Sequence, residues 1–294
     1  MKVIIESGAT KSDWRVIEDD GRQIAEFQAS GTNVSTMSLS VIGDIIMDSC
    51  IRIRNGYGDI DEIYLYTAGV LTDEITTGLK GFVSTIFPDA FCDVQTDLIG
   101  AARAACGHEP GIAAILGTGS NSCQFDGKSI VRRVYSSGFI LGDEGSAATL
   151  GKLFISDFLK GFVPERISKD FAARFPSDYA TIVENVYRNQ GSPSSYLGSF
   201  APFILEHYDD PYIKELVDGN FRAFIRRCIK QYDYQLYPVG VIGGFGYALR
   251  EIFSRIAAEE GIMISRFYPA PVEGLIKYHK KNEDYRESVK VRQS

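Results

Sequence analysis

The spacing of apolar residues in the first thirty positions predicts three strands. Residues 2–5, 14–17 and 24–27 are short stretches that contain apolar residues favouring β-structure. Asp19-Asp20-Gly21 separates the second stretch from the third and is typical of a hairpin turn. We therefore expect a three-stranded meander at the start of the chain.

The pattern then changes to helices that alternate with strands. Leu39, Ile42, Ile46 and Ile53 recur at the spacing of one helix face. Thr96-Asp97 stands at the cap position of a later helix. The predicted elements after the first helix are a strand over 63–67, a helix over 73–87, a strand over 91–94 and a helix over 98–105.

The same order of elements begins again at residue 112. A predicted strand over 112–116 leads into Gly117-Thr118-Gly119-Ser120, a second strand that ends at Phe125, an Asp126-Gly127 turn and a third strand over 130–134. The later predicted elements are a helix through Ala147, Leu150, Phe154 and Phe158, a long and mostly helical stretch, strands over 239–242 and 263–267, and helices from about Tyr247 and from Val272.

This internal repeat predicts an α/β fold with two lobes. The predicted lobes span 1–110 and 111–270, with a boundary near Gly107 to Gly111. We expect the C-terminal helix, over about 271–294, to pack back on the first lobe. A length of 294 residues agrees with about two domains of ordinary size.

Composition limits the compartment and the partners. The chain is 45% hydrophobic and 23% charged, as in a globular protein with a large core. Its net charge of −7 argues against nucleic acid or an anionic membrane as partner. Five scattered cysteines without a CxxC pair argue against a disulfide framework, a zinc site and an iron–sulfur site. We find neither a signal-peptide core nor a membrane-length apolar run and expect a cytoplasmic protein.

Several common catalytic motifs are missing from the sequence. Gly127-Lys128-Ser129 resembles the end of a Walker A loop, but Ser122 stands where the first glycine is required. There is no complete dinucleotide fingerprint, no GxSxG and no HExxH. The three histidines (His108, His207 and His279) have no metal-like spacing and are expected at the surface.

Two turns of small residues each follow an apolar strand directly, at Ser7-Gly8-Ala9-Thr10 and at Gly117-Thr118-Gly119-Ser120. Consecutive backbone N–H groups in such a turn can form a nest for anionic oxygens. Thr10 and Thr118 add hydroxyl groups, and Lys11 adds a positive charge. Each turn alone is equally consistent with an ordinary hairpin. Equivalent turns in both repeats favour the binding of a polyphosphate from two sides, in a cleft between the lobes.

The segment from Ile5 to Asp13 resembles the first phosphate loop of the actin–hexokinase–Hsp70 superfamily. Within that superfamily the chain resembles the BadF/BadG/BcrA/BcrD ATPase group, which includes N-acetylglucosamine kinase. The other matching stretches are Gly31-Thr32-Asn33, Thr96-Asp97, Gly117-Thr118-Gly119-Ser120-Asn121, Gly142-Asp143-Glu144-Gly145-Ser146 and the adenosine-loop-like Val241-Ile242-Gly243-Gly244. The resemblance implies two actin-like or ribonuclease H-like lobes with an ATP cleft between them.

The resemblance also implies a role for each matching residue. Glu6, where much of the superfamily has Asp, would sit near a magnesium ion. The residues implied to bind ATP are Ser7, Gly8, Ala9, Thr10, Lys11, Gly117, Thr118, Gly119, Gly243 and Gly244. Those implied to bind sugar are Asn33, Gly69, Asp97, Ser137, Gly138 and Asp143. Ser136-Ser137-Gly138 replaces the glycine-tryptophan-glycine of the family, a change that touches the sugar pocket.

Asp97 is the candidate catalytic base, because phosphoryl transfer to an alcohol needs a group that accepts the leaving proton. Its alternative role is that of a helix cap, and Asp143 has the same alternative. Asn33 is equally compatible with a turn and Lys11 with a solvated charge.

Two function classes follow from the resemblance. The first is an ATP-dependent kinase of an amino sugar, most readily N-acetylglucosamine, with glucosamine and N-acetylmuramic acid as alternatives and with Mg²⁺ as cofactor. The second is a regulatory ATPase of the dehydratase-activator type, which holds an iron–sulfur cluster through cysteines. The scattered cysteines favour the kinase. Family members often dimerise, so the resemblance also implies a homodimer.

Overall fold

The computed structural model describes residues 1–8, 11–35, 37–69, 71–188 and 192–280. The chain forms two compact units. One contains Met1–His108 together with the chain from Pro271 onward, and the other contains Glu109–Ala270. Ala9 and Thr10 of the first predicted phosphate loop, and the part of the predicted C-terminal helix after Lys280, lie outside the described residues. No helix in the described ranges combines the length and the apolar character that a bilayer crossing requires.

The first unit is a five-stranded sheet with helices. Its elements up to residue 106 are β1 (Lys2–Ser7), β2 (Lys11–Ile17), β3 (Gln23–Ser30), α1 (Leu39–Tyr57), β4 (Glu62–Thr67), α2 (Asp73–Ile86), β5 (Phe91–Thr96) and α3 (Asp97–Cys106). The strand order is β3-β2-β1-β4-β5. The meander β1–β2–β3 is antiparallel, and β4 and β5 continue parallel to β1.

The register of this sheet brings the strand ends together. Ser7 pairs with Thr67, and Thr67 pairs with Thr96, so β1, β4 and β5 finish at one edge. Glu6, one residue earlier, lies between Asp13 of β2 and Tyr66 of β4. Ligands of open α/β sheets bind beyond the carboxyl ends of the strands, and this edge carries most of the predicted site residues of the unit.

The second unit repeats the sheet and adds helices. Its elements are β6 (Gly111–Leu116), β7 (Ser120–Phe125), β8 (Ile130–Val134), α4 (Gly138–Leu141), α5 (Ala147–Leu159), α6 (Glu165–Arg174), α7 (Tyr179–Val183), α8 (Pro193–Gly198), α9 (Ala201–Glu206), α10 (Pro211–Arg227), β9 (Val239–Ile242), α11 (Gly244–Ala248), α12 (Arg250–Glu259) and β10 (Ile264–Tyr268). The order β8-β7-β6-β9-β10 matches that of the first sheet, element for element. The predicted α/β class and the repeated strand pattern are confirmed.

Each unit buries its own core. In the first, Val3 and Ile5 of β1 pack with Ile42 and Ile46 of α1. The helix α13 (Val272–His279) belongs to this unit and packs on α3, where Gly274 lies against Ala104. In the second unit a cluster of phenylalanine rings fills the helical layer, with Phe154, Phe171, Phe200 and Phe203 among its members.

Some sequence-based expectations differ from the structure. His279 is buried rather than at the surface, because its ring pairs with Tyr66. Tyr232 is also buried, in the core of the second unit, where Ser122 and the backbone of Val134 bond its hydroxyl. The helical segment expected from about Tyr247 begins three residues earlier, as α11.

Candidate functional site

A buried hydroxyl network organises the carboxyl edge of the first sheet. Ser7 Oγ accepts hydrogen bonds from the backbone N–H and the hydroxyl of Thr32, each at 2.8 Å. Thr67 donates its hydroxyl to the Thr32 carbonyl at 2.6 Å. All three residues are buried. The network therefore fixes the loop that carries Asn33 to the ends of β1 and β4.

Asn33 and Gly69, both predicted to bind sugar, are neighbours in this loop region. Asn33 Oδ1 accepts a hydrogen bond from the Ser35 amide at 2.9 Å, so the residue also has the turn role that its context suggested. Gly69 has a φ of +103°, and a Cβ there would lie 2.9 Å from Asn33 Oδ1. Only glycine permits this approach without strain.

Glu6 lies in a cluster of charged groups. Burial, followed by the neighbouring carboxylates of Asp13 and Asp97, raises the pKa of Glu6 to about 7, and Lys11 opposes this rise. An added cation would relieve the repulsion among these carboxylates. No group of three or more potential ligand residues that could hold a metal occurs in the described part of the chain. Glu6 nevertheless fits Mg²⁺, which is commonly held by one or two carboxylates together with substrate phosphates.

Asp97 is the first residue of α3 and is half-buried. The side-chain cap of this helix is supplied by Thr96, whose Oγ1 accepts from the Ile99 amide at 3.4 Å. The cap role weighed for Asp97 thus falls to its neighbour. The Asp97 carboxylate is close enough to Glu6 to affect its titration.

In the second unit the β6–β7 turn is held by the start of α5. The carbonyls of Gly117 and Thr118 accept from the amides of Ala147 and Ala148, each at 3.0 Å. The Gly117 amide donates to the Gly119 carbonyl at 2.9 Å. Among the described residues, the amides of Thr118 and Gly119 have no hydrogen-bond partner. These are the two amides of the turn that could donate to an anion, as a nest would require.

The Asp143 carboxylate lies against the same β6–β7 turn. Its Oδ1 accepts from the Ser120 amide at 3.2 Å, and a Cβ at Gly119 would lie 3.1 Å from its Oδ2. Its backbone is left-handed, with a φ of 55°, and burial raises the pKa of its carboxyl. The side-chain cap of α5 is Ser146, so the cap role weighed for Asp143 also falls to a neighbour.

Ser137 and Gly138, the two remaining predicted sugar ligands of this unit, have left-handed backbones with φ values of 61° and 71°. Both are exposed. The Asp143 amide donates to the Ser136 carbonyl at 3.0 Å, and Gly142 has no room for a Cβ against that carbonyl. The chain therefore doubles back around α4 and brings Ser137 beside the Asp143 segment.

Gly243 and Gly244 follow β9 at the same sheet edge as the β6–β7 turn. Gly243 has a φ of 121°, and a Cβ there would collide with the Leu116 carbonyl oxygen. Gly244 begins α11 and has open space around it. The structure thus places the predicted adenosine glycines next to the strand that leads into Gly117.

Sequence reasoning missed the residues that support these loops from a distance. Asn220 of α10 accepts from the Gly145 amide at 2.9 Å and donates to the Ser146 carbonyl at 3.1 Å. It is buried in the middle of an amphipathic helix. An asparagine on the buried face of that helix is the only sequence signal for this role. Thr32 lay inside a noted motif, but its partner Thr67 had no local signal.

The basic run on α10 is paired within the unit. Arg222 bonds Glu259, Arg226 bonds Glu260 at 2.7 Å, and Arg227 bonds Glu144 at 2.7 Å. Lys230 also reaches Glu260, at 2.6 Å. The positive charges of this run are therefore compensated by carboxylates of the same unit.

The chain is similar to a known protein family and to a solved structure. The model of the BadF/BadG/BcrA/BcrD ATPase family matches residues 5–191. A proposed N-acetylglucosamine kinase of Porphyromonas gingivalis has a similar solved structure, with 36% sequence identity and a TM-score of 0.87 over 96% of this chain and 99% of that chain. No curated protein matches the chain in sequence.

Two more distant structures share the fold. A proposed N-acetylglucosamine kinase of Chromobacterium violaceum has 18% identity and a TM-score of 0.73, over 95% of this chain and 98% of that chain. A ROK family glucokinase of Streptomyces griseus, solved with glucose and AMPPNP, has 16% identity and a TM-score of 0.54, over 94% and 98% of the two chains. The two actin-like sheets are therefore those of a sugar-kinase fold.

Proposed function

The chain belongs to the BadF/BadG/BcrA/BcrD ATPase family, and on that premise we propose that it is an ATP-dependent kinase of an amino sugar, most readily N-acetylglucosamine. The observation that carries the proposal is the pair of carboxylates at the carboxyl edge of the first sheet. The Asp97 carboxylate is close enough to Glu6 to raise its pKa. Together they can supply the two functions that transfer from Mg-ATP to an alcohol requires, a metal ligand and a proton acceptor.

ATP is bound in this proposal by the glycine turns. The free amides of Thr118 and Gly119 donate to phosphate oxygens, and the Thr118 hydroxyl adds a third donor. Ser7, Gly8 and Lys11 act on the phosphates in the first unit, together with Ala9 and Thr10 outside the described residues. Gly243 and Gly244 present a surface without side chains to adenosine.

Glu6 is the proposed magnesium ligand. A bound Mg²⁺ would neutralise charge on the β- and γ-phosphates during transfer. Burial and the carboxylates of Asp13 and Asp97 favour the protonated form of Glu6, and a bound cation would offset their effect and favour the ionised form that binds metal.

Asp97 is the proposed general base. Its carboxylate accepts the proton of the attacking sugar hydroxyl as the bond to the γ-phosphorus forms, and the leaving oxygen remains on ADP. The side-chain cap of α3 is supplied by Thr96. Position is the larger contribution, because phosphoryl transfer depends on in-line alignment.

In this proposal the sugar is bound by side chains that neighbouring residues of the same unit hold in place. Asn33 is braced by the turn at Ser35 and by Gly69, and Asp143 by Ser120. Carboxylate and amide groups of this kind bind sugar hydroxyls directionally. Ser137 and Gly138 complete the proposed sugar site at an exposed turn.

The test is ADP release by the purified protein with Mg-ATP and a panel of sugars: N-acetylglucosamine, glucosamine, N-acetylmuramic acid and glucose. We expect an amino sugar to raise ADP release well above the rate with ATP alone. The sugar that raises the rate most identifies the preferred substrate. If no sugar raises the rate, the regulatory ATPase becomes the better interpretation.

A further inference from the structure

The hairpin formed by β1 and β2 carries a positively charged side chain, that of Lys11, beside the proposed phosphate turn. Lys11 is the first residue of β2, and its carbonyl accepts from the Gly8 amide at 3.0 Å, which closes the turn. Its ammonium lies 3.5 Å from Asp13 Oδ2. The Lys11 side chain is 61% exposed, whereas that of Asp13 is only 7% exposed.

Asp13 itself is rigidly held. Gln28 on β3 donates to its Oδ1 at 2.8 Å. Arg15, two residues further along β2, approaches the same oxygen at 3.9 Å. Its backbone is fixed between β1 and β3 by ladder pairing. The Asp13 carboxylate is therefore held in one position, next to the mostly exposed side chain of Lys11.

A lysine on a four-carbon stem loses rotamer freedom when it grips a phosphate, and that loss weakens binding. A carboxylate that already restrains the stem reduces this loss. The ammonium has three donors, and an ion pair at 3.5 Å does not occupy them all. We propose that Asp13 is a positioning residue, which holds the Lys11 ammonium in place for the phosphates of ATP. This rests on the proposed function of the β1–β2 turn.

The charge arrangement supports the same role. Glu6 and Asp13 face each other across the β1–β2 ladder, so an incoming polyphosphate meets two carboxylates near the turn. A cation held against Asp13 lies where it can shield that repulsion. Loss of the restraint would allow Lys11 to move into solvent and would leave the phosphates less well compensated.

The test measures equilibrium binding of ATP and of adenosine to the full chain and to five variants. Asp13→Asn keeps the size and the hydrogen bond to Gln28 but loses the charge. Lys11→Ala and the double variant complete a mutant cycle. The matched control is Glu26→Gln, because Glu26 is the other carboxylate on Arg15, at 3.4 Å, and no ion pair joins it to Lys11 among the described residues.

We expect Asp13→Asn and Lys11→Ala each to weaken ATP binding about five- to tenfold, the range of a charge-assisted contact. Adenosine affinity should stay constant, because adenosine has no phosphate for Lys11. The double variant should bind ATP no more weakly than Lys11→Ala alone. Glu26→Gln should match the wild type, and Asp13→Glu should recover part of the affinity.

Three results would overturn the inference: additive losses in the double variant, equal losses of ATP and adenosine affinity, or tighter ATP binding by Asp13→Asn, which would mean that Asp13 withholds Lys11 from the nucleotide. Failure of the sugar-kinase proposal looks different. If the wild type binds ATP but phosphorylates no sugar, the sugar-kinase proposal fails and the ATP-binding measurements still test the role of Asp13. If the wild type does not bind ATP, both proposals are contradicted.

Discussion

The hydroxyl of Tyr66 and Nε2 of His279 lie 2.7 Å apart, although 213 residues separate them in the chain. Arg103 joins the pair by donating to the same hydroxyl at 2.8 Å and to Asp93 at 3.0 Å. This network fastens α13 to the first unit. It also braces α3, the helix that begins with the proposed base, because Arg103 is part of that helix.

The network predicts a pH dependence of stability. Burial, followed by the positive charges of Arg103 and Lys2, lowers the pKa of His279 from 6.5 to about 3. Between these values the unfolded chain binds a proton that the folded chain does not, so stability rises with pH across the window and is fully present above about pH 6.5. His279 should contribute a slope of up to about 1.4 kcal/mol per pH unit to the free energy of unfolding.

Denaturant unfolding between pH 4 and pH 7.5 measures this slope. His279→Asn should be less stable at pH 7.5 and should lose less stability on acidification than the wild type. An unchanged slope in His279→Asn would show that other groups govern the acid response.

Thr118→Trp should abolish ATP binding without unfolding the protein. Thr118 is an exposed turn residue, so the larger side chain has room in the solvent but occupies the place of the phosphates. Isothermal titration with ATP checks the binding, and thermal unfolding checks the fold. Normal ATP affinity in a folded variant would remove this turn from the phosphate site.

The two glycines after β9 should respond differently to alanine. Gly243→Ala places a Cβ against the Leu116 carbonyl at a φ of 121° and should cost about 1–3 kcal/mol of stability. Gly244→Ala meets no atom within 4 Å and should fold normally, but its methyl group should weaken adenosine binding. Thermal unfolding and adenosine titration of both variants separate the two effects. Unchanged adenosine affinity in Gly244→Ala would exclude Gly244 from the nucleotide site.

Asp97→Asn should reduce sugar phosphorylation about 10²-fold or more, because the amide cannot accept the proton of the hydroxyl. Since Thr96 provides the cap of α3, stability and ATP affinity should stay near the wild-type values. Steady-state kinetics should show the loss in kcat rather than in KM for ATP. A variant with ordinary turnover would move the base assignment to Asp143.

The sequence predicted most of the fold because its signals are local. Each of these signals depends only on residues that are close in sequence, as in the Asp19-Asp20-Gly21 turn, the apolar stretches on either side of it and the helical spacing from Leu39. The internal repeat supported the same assignment a second time. The short helix α4 was not predicted, since it has only four residues and no side-chain cap. The residues that cap α3 and α5 were not distinguished from their neighbours, because Asp97 and Asp143 are also of a type that can cap a helix.

The supporting contacts of the candidate site could not be predicted from sequence. His279 has a polar ring at the end of a helix, and its burial depends on residues far away in the sequence: the Tyr66 hydroxyl bonds its Nε2 and the Tyr64 ring stacks on it. Asn220 braces Gly145 from 75 residues away, and nothing near either residue indicates the other. Pairings of this kind depend on tertiary packing, whereas the glycine turns could be recognised from their own residues.

The central claim is that the γ-phosphate of ATP is transferred to a sugar hydroxyl, and isotope tracing tests it most directly. The protein is incubated with N-acetylglucosamine and Mg-ATP labelled with ¹⁸O in the non-bridging γ-phosphate oxygens, and the products are analysed by mass spectrometry. We predict a sugar phosphate that carries the label, with little labelled inorganic phosphate, and strongly reduced formation of this product by Asp97→Asn. Label found only in inorganic phosphate, with this sugar and with the rest of the amino-sugar panel, would contradict the account.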